Sequence, residues 1–162
     1  MLCERTTQNK SLDVSGGDVN ATMNDGPKDP GMTTISTAKP NFQHADPILR
    51  VANMAVAVKY YVEVLGFRNA DWGHELFTFV NRDKAGIFLC QGNQGQPGTW
   101  VWIGVDDVDA LYEEYKASGA KIQLSPNNYP WAYEMHVEDL DGHVLRFAAA
   151  VKSNMPFAIA TF

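Results

Sequence analysis

The sequence predicts an α+β fold in which two similar units pair into an open curved sheet around a cleft. Each unit is a strand, a helix and three further strands. Apolar residues with helical spacing mark two helices, and short apolar runs follow each of them. The pattern also repeats: Val51 corresponds to Val105 and Asn53 to Asp107 at an offset of 54 residues. Such a period indicates duplication, and the cleft between paired units is the expected ligand site.

The first unit begins with an extended run at residues 47–51, and a helix follows that Asn53 caps and Gly66 ends. Three strands are predicted at residues 67–72, 76–80 and 86–91, and residues 81–84 form the turn between the last two. The apolar face of the helix consists of Met54, Val58, Tyr61, Val62 and Leu65.

The second unit repeats this order, with a strand at residues 100–105 and a helix between a cap at Asp106–Asp107 and a stop at Gly119. Its helical face carries apolar residues at i, i+3, i+4 and i+7. The remaining strands are predicted at residues 120–124, 133–138 and 143–149, and a Gly-containing turn at 139–142 joins the last two.

Composition divides the chain into a polar start and a globular remainder. Residues 1–43 are rich in Ser, Thr, Asn, Asp, Gly and Pro and are predicted to be a disordered extension. The domain is expected at residues 44–150, with its two units at 45–92 and 99–150. Residues 151–162 are expected to form a C-terminal tail.

Charge and cysteine content limit the function classes. The net charge is −6, and from residue 41 onward nine basic side chains face fourteen acidic ones. A negative surface argues against nucleic acid and anionic membranes and favours a cationic ligand. Two cysteines, Cys3 and Cys90, are too few for a disulfide framework, and no apolar stretch approaches the roughly 18–20 residues of a membrane span. We therefore expect a cytoplasmic protein.

Four motifs lie at residues 48–53, at 60–61 with 65–67, at 105–111 and at 139–147. Their order and spacing resemble those of the vicinal-oxygen-chelate superfamily of glyoxalases, bleomycin resistance proteins and dioxygenases. The resemblance covers residues 45–149, and the opening Pro47-Ile48-Leu49 is similar to that of bleomycin resistance proteins in particular. It implies the paired-unit fold and a homodimer, since relatives often form clefts between chains or exchange segments.

The resemblance also implies where metal-using members would bind their ion. Those four positions correspond here to Asp46, Phe88, Trp100 and Arg146, where the family pattern would want His or Glu. Phe and Trp offer no lone pair and Arg has only donors, so only Asp46 could ligate a metal. We therefore expect no metal and no cofactor.

Aromatic and charged residues are the candidate ligand contacts. Trp100 and Trp102 alternate along one strand and should share the cleft face, where they either stack on a ligand or fill the space. Trp131 and Tyr133 follow a predicted loop at residues 125–130 near the cleft mouth and are expected to contact ligand or a second chain. Phe88 is expected in the same cleft.

Two charged groups complete the prediction. Asp46 and Arg146 are expected to face one cavity from different units and to pair with each other, with a ligand or with water. Glu134, His136 and Glu138 share one strand face, and this trio is interpreted as a solvated polar face.

The predicted function is a metal-free protein that sequesters a small organic ligand, in the manner of bleomycin resistance proteins, with a cationic antibiotic as its most specific form. The alternative is a metal-dependent lyase or isomerase of the glyoxalase I type, with a displaced metal site built from Asp46, His136 or Glu134. A third hypothesis is an interaction module whose cleft has collapsed around Trp100 and Trp102.

Overall fold

The structure is a computed structural model that describes Lys39 and residues 41–160. It contains the predicted strand–helix–three-strand order twice, which confirms the α+β prediction. The first unit contains β1 (Ile48–Arg50), α1 (Met54–Glu63), β2 (Arg68–Asn69), β3 (Phe77–Arg82) and β4 (Ala85–Cys90). The second contains β5 (Trp100–Gly104), α2 (Val108–Ser118), β6 (Lys121–Asn128), β7 (Tyr133–Glu138) and β8 (Val144–Ala149).

The two sheets have the same topology. The first sheet has the order β1-β4-β3-β2 and the second β5-β8-β7-β6. Within each sheet the first and last strands pair in parallel, and the remaining pairs are antiparallel. This equivalence supports the duplication that the sequence period indicates.

Both helices begin at the predicted caps and α2 ends at the predicted Gly119, whereas α1 ends at Glu63 with Val64 as its C-cap, before the predicted stop at Gly66. The side chain of Asn53 accepts a hydrogen bond from the backbone of Val56, and that of Asp107 accepts from Asp109 and Ala110. Gly119 ends α2 in the left-handed conformation, with φ +81°, which glycine adopts without steric cost. Each helix packs on one face of its own sheet, and we call the opposite face the outer face.

The strands depart from prediction at three places. β2 has only two residues, and the turn between β3 and β4 narrows to Asp83 and Lys84. β6 extends to Asn128, through much of the predicted loop. Pro126 is tolerated there because β6 is an edge strand, and the β6–β7 register shifts between Leu124 and Asn127. The extension predicted at residues 1–43 lies outside the described residues, except for Lys39 and 41–43.

The two units contact each other through their helices and through the turn between β7 and β8. The hydroxyl of Tyr61 donates to the buried carboxylate of Asp139 at 2.9 Å, and that of Tyr115 donates to the carbonyl of Leu65 at 3.1 Å. Nε2 of His143 lies 2.7 Å from the carbonyl oxygen of Arg50, to which it donates. Within the described residues, neither helix is long and apolar enough to cross a membrane.

Candidate ligand-binding site

A cavity of about 440 Å³ lies against the outer face of the second sheet. β5, β7 and β8 supply its floor, and the turn after β6 supplies part of its wall. Every residue that lines it belongs to the second unit or to the C-terminal segment. These residues are Trp100, Tyr129, Trp131, Glu134, His136, Arg146 and Ala160.

Trp100 and Trp102 lie on the outer face, as their alternation predicts. They are 56% and 53% exposed, so neither is buried in a collapsed cleft. The Trp100 ring stands edge-on to His136, with ring centroids 5.2 Å apart. The guanidinium carbon Cζ of Arg146 lies 4.8 Å from the centroid of the Trp102 ring, which is a cation–π contact.

Glu134 is the central charged group of the cavity and is only 1% exposed. Its carboxylate accepts hydrogen bonds from Nε of Arg146 at 2.9 Å and from Nε1 of Trp131 at 3.2 Å. A second contact joins Nη2 of Arg146 to Oε1 at 2.7 Å, so the ion pair is bidentate. The cavity floor therefore carries a carboxylate and a guanidinium that neutralise each other.

His136 completes the floor of the cavity. Its Nε2 lies 3.4 Å from Oε1 of Glu134. Burial lowers the pKa of the imidazole below its ordinary 6.5, although the neighbouring Glu134 carboxylate acts in the opposite direction. The imidazole is accordingly neutral at pH 7, and the floor carries no net charge.

The mouth of the cavity is aromatic. The Tyr129 and Trp131 rings are stacked, with centroids 5.0 Å apart and an angle of 2° between their planes. Trp131 lines this cavity, and Tyr129 is a lining residue that the sequence analysis did not single out. Flat stacked rings on one side and Trp100 on another favour a ligand with a planar or apolar surface.

Tyr133 does not line this cavity, contrary to the prediction. Strand alternation directs Glu134 and His136 to the outer face and Tyr133 to the helix side, where it is 5% exposed. Its hydroxyl donates to Asp109 in the first turn of α2.

Asp46 and Arg146 do not pair with each other, which was one of the predicted alternatives: Arg146 pairs with Glu134, and Asp46 lies 3.2 Å from Nε2 of His44. The interpretation of Glu134, His136 and Glu138 as a solvated polar face is wrong for Glu134, which is buried. His136 and Glu138 are half-buried, and Glu138 pairs with Lys121 at 2.6 Å. Glu134 and Arg146 lie on the same face of adjacent antiparallel strands, and their opposite charges were the signal available in the sequence.

Phe88 lies on the first sheet, in an aromatic cluster on its outer face, and Asp46 lies two residues before the first strand of that sheet. Phe88 contacts Phe79 and Phe77 with centroids 4.8 and 5.3 Å apart, and Trp72 stacks on Phe79. This surface, which we call the aromatic patch, consists of Trp72, Phe77, Phe79 and Phe88. The single chain does not bring it together with Trp100, Trp102 and Arg146.

The family follows from comparison with known proteins. Residues 41–147 match the model of the Glyoxalase/Bleomycin resistance protein/Dioxygenase superfamily. The chain belongs to this superfamily. A search of curated proteins finds no match.

Solved structures of superfamily proteins support the fold. The bleomycin-binding protein of bleomycin-producing Streptomyces verticillus, solved with copper(II)-bleomycin, is 26% identical with a TM-score of 0.60, and the match covers 69% of this chain and 99% of that one. TnmS3, an antibiotic binding protein from Streptomyces sp. CB03234, is 24% identical with a TM-score of 0.60 over 69% and 99%. TioX from Micromonospora sp. ML1 is 22% identical with a TM-score of 0.56 over 67% and 100%.

The donor set does not fit the metal centre of the metal-using superfamily members. Of the four corresponding positions only Asp46 offers a ligand oxygen, since Phe88, Trp100 and Arg146 have no free lone pair to give. In the part of the chain that the structure describes, no three His, Cys, Asp or Glu side chains come close enough to hold an ion. The displaced site of the glyoxalase-type alternative would need Asp46 from one sheet and His136 or Glu134 from the other.

Proposed function

We propose that this protein binds and sequesters a small organic ligand in the cavity on the second sheet, without a metal ion of its own. The observation that carries this proposal is the combination of aromatic walls with a floor whose charges are already paired. Because Glu134 satisfies Arg146, the guanidinium has no need of a ligand carboxylate. Recognition then depends on Trp100, Tyr129 and Trp131, which offer stacking surfaces.

The charge distribution supports a cationic ligand. Residues 44–98 carry five basic and five acidic side chains, whereas residues 99–160 carry four basic and nine acidic ones. The negative charge of the domain therefore belongs to the unit that contains the cavity. Such a field attracts cations from solution, and exposed indole faces bind them by cation–π contact.

An antibiotic of the bleomycin type is the most specific form of this proposal. It is supported by the 26% identity to a protein solved with copper(II)-bleomycin. In this form any metal ion arrives with the ligand, which agrees with a cavity whose own groups make a poor metal site.

We further propose that the protein acts as a homodimer in which the aromatic patch of one chain covers the cavity of the other. The patch lies on an outer sheet face; its Trp72 is 59% exposed, and the neighbouring Leu76 is 54% exposed. Exposed aromatic clusters of this kind mark interaction surfaces. A second copy is the occupant that fits, because the cavity on the second sheet lacks a facing wall and is itself aromatic. The resulting cleft would bring Phe88 and Asp46 opposite Trp100.

Calorimetric titration of the full chain with copper(II)-bleomycin tests the binding proposal. We expect saturation at one ligand per chain and affinity losses of about three- to tenfold for each of Trp100→Ala and Trp131→Ala, the range expected for lost aromatic contacts. Leu140→Ala, at an exposed turn away from the cavity, is the matched control and should bind like the parent. Equal affinity in all four proteins would place the ligand elsewhere.

Sedimentation velocity tests the dimer separately. The parent should sediment as a dimer, and Phe88→Glu in the aromatic patch should dissociate it by placing a charge in an apolar interface. A monomeric parent would contradict the dimer and leave the cavity on the second sheet as the binding site of a single chain.

A further inference from the structure

The C-terminal segment, residues 151–160, follows β8 and lies beyond the superfamily match, which ends at residue 147. It contains neither helix nor strand, yet it is held to the second unit at defined points. Its main anchor is Asn128, the last residue of β6, which is 1% exposed. The Asn128 amide donates to the carbonyls of Lys152 at 3.0 Å and Met155 at 2.8 Å, and its side-chain oxygen accepts from the Lys152 backbone at 2.9 Å.

Two further contacts fix the direction of the segment. The ammonium group of Lys152 binds the carboxylate of Asp109 and lies 4.0 Å from the centroid of the Tyr133 ring. Beyond Met155, the backbone N–H of Ala158 donates to the carbonyl of Asn128 at 2.7 Å. The chain is thus held again three residues past the last side-chain anchor and runs on toward the cavity.

The last residues of the segment alternate in exposure. Phe157 and Ile159 are 56% and 92% exposed, while Ala158 and Ala160 are half-buried. The two small side chains therefore face the protein and the two large ones face away from it. Ala160 lies in the cavity wall together with Trp100 and Trp131. A methyl group at this point leaves open the space that a longer side chain would fill.

We propose that the end of the C-terminal segment forms an outer wall of the ligand cavity through Ala160, and that Ala160 is a specificity-determining residue that limits the size of the ligand. The proposal rests on the proposed function for the identity of the cavity as a ligand site. It does not depend on bleomycin as the ligand, because the wall is defined by the anchors at Asn128 and by the position of Ala160.

The position of the wall is tested without any ligand. In a background with Cys3→Ser, in which the remaining Cys90 is buried, a cysteine replaces Ala160 or Ile159 and is labelled with the fluorophore bimane, which a nearby indole quenches. We expect clear quenching at position 160, relief of that quenching by Trp131→Phe, and little quenching at position 159. Equal fluorescence at the two positions would overturn the wall.

The role in specificity is tested with a matched pair of variants. Ala160→Leu extends a side chain into the cavity, whereas Ile159→Leu changes only the shape of an exposed side chain. With copper(II)-bleomycin and, in parallel, the dye 8-anilinonaphthalene-1-sulfonate, we expect Ala160→Leu to weaken binding about tenfold or more, as overfilling does in a packed site. Ile159→Leu should stay within about twofold.

The outcomes separate this inference from the proposed function. One outcome is that the antibiotic fails to bind the parent chain while the dye binds and Ala160→Leu weakens dye binding. This result would support the role of Ala160 in the wall and refute the antibiotic as the ligand. If both probes bind and Ala160→Leu matches Ile159→Leu, the specificity role of Ala160 is refuted while the binding function stands. If neither probe binds the parent chain, the specificity role of Ala160 is refuted together with the binding function, and the bimane comparison still decides the position of the wall.

Discussion

Replacing Glu134 by alanine gives the sharpest energetic test of the cavity floor. The substitution removes a carboxylate that is 1% exposed and leaves the guanidinium of Arg146 without its bidentate partner. Breaking a fully buried pair costs about 3–5 kcal/mol, because the remaining charge is uncompensated. The side chain of Arg146 is 26% exposed, so water relieves part of this cost, and we expect about 2–3 kcal/mol. For a domain of this size that lowers the melting temperature by about 6–12 °C.

Denaturant unfolding of the parent chain and three variants measures how much the Glu134–Arg146 pair contributes to the free energy of unfolding. Glu134→Ala, Arg146→Ala and the double variant form a cycle, and we expect a coupling free energy of about 1–3 kcal/mol between the two residues. The matched control is Glu138→Ala, whose pair with Lys121 lies on the surface and should contribute less than about 1 kcal/mol. A Glu134→Ala loss no larger than that of the control, or a coupling near zero, would refute this account of the floor.

Three further predictions concern the cavity, a helix end and the contact between the units. Burial lowers the pKa of His136 in the folded protein, so the unfolded chain binds the proton more tightly. The free energy of unfolding should therefore decrease as the pH drops below about 6.5. In His136→Gln this decrease, measured by unfolding at several pH values, should be shallower. Gly119→Ala should lower the free energy of unfolding in urea by about 1 kcal/mol, because φ at this residue is +81°. Gly104→Ala is the control, since an added Cβ also meets open space there, and it should show no such loss. Equal effects of the two substitutions would contradict the argument from backbone strain. Tyr61→Phe should lose about 1–2 kcal/mol by removing a donor from buried Asp139, and an unchanged midpoint in guanidinium would show that this contact does not stabilise the fold.

The fold could be predicted because its signals are local and repeated. Asn53 and Asp107 cap the two helices as expected, and Gly119 ends the second one, since capping depends on a few neighbouring residues. The length of β6 was missed because Pro126 and two asparagines resemble a loop in sequence. Only its place at the sheet edge, a property of the assembled sheet, permits a strand there.

The candidate site could be predicted only in part. Trp100, Trp102 and Arg146 share a face because strand alternation is a local rule. Asp46 does not reach Arg146 because it belongs to the first unit, and the units contact each other through their helices and the turn between β7 and β8. The observed partner, Glu134, lies on the strand next to Arg146 in the same sheet, a pairing that the sequence signalled but that depends on the register of the strands. Ala160 carried no chemical signal in the sequence, and only the hydrogen bonds of Asn128 bring it to the cavity.

Native mass spectrometry of the untagged full chain, before and after addition of copper(II)-bleomycin, tests the central claim most directly. One spectrum reports the metal content, the number of chains and the number of bound ligands. We expect a dimer free of bound metal that gains one copper(II)-bleomycin per chain. A spectrum with one metal ion held per chain before the antibiotic is added, and no antibiotic bound afterwards, would contradict a metal-free ligand-binding protein.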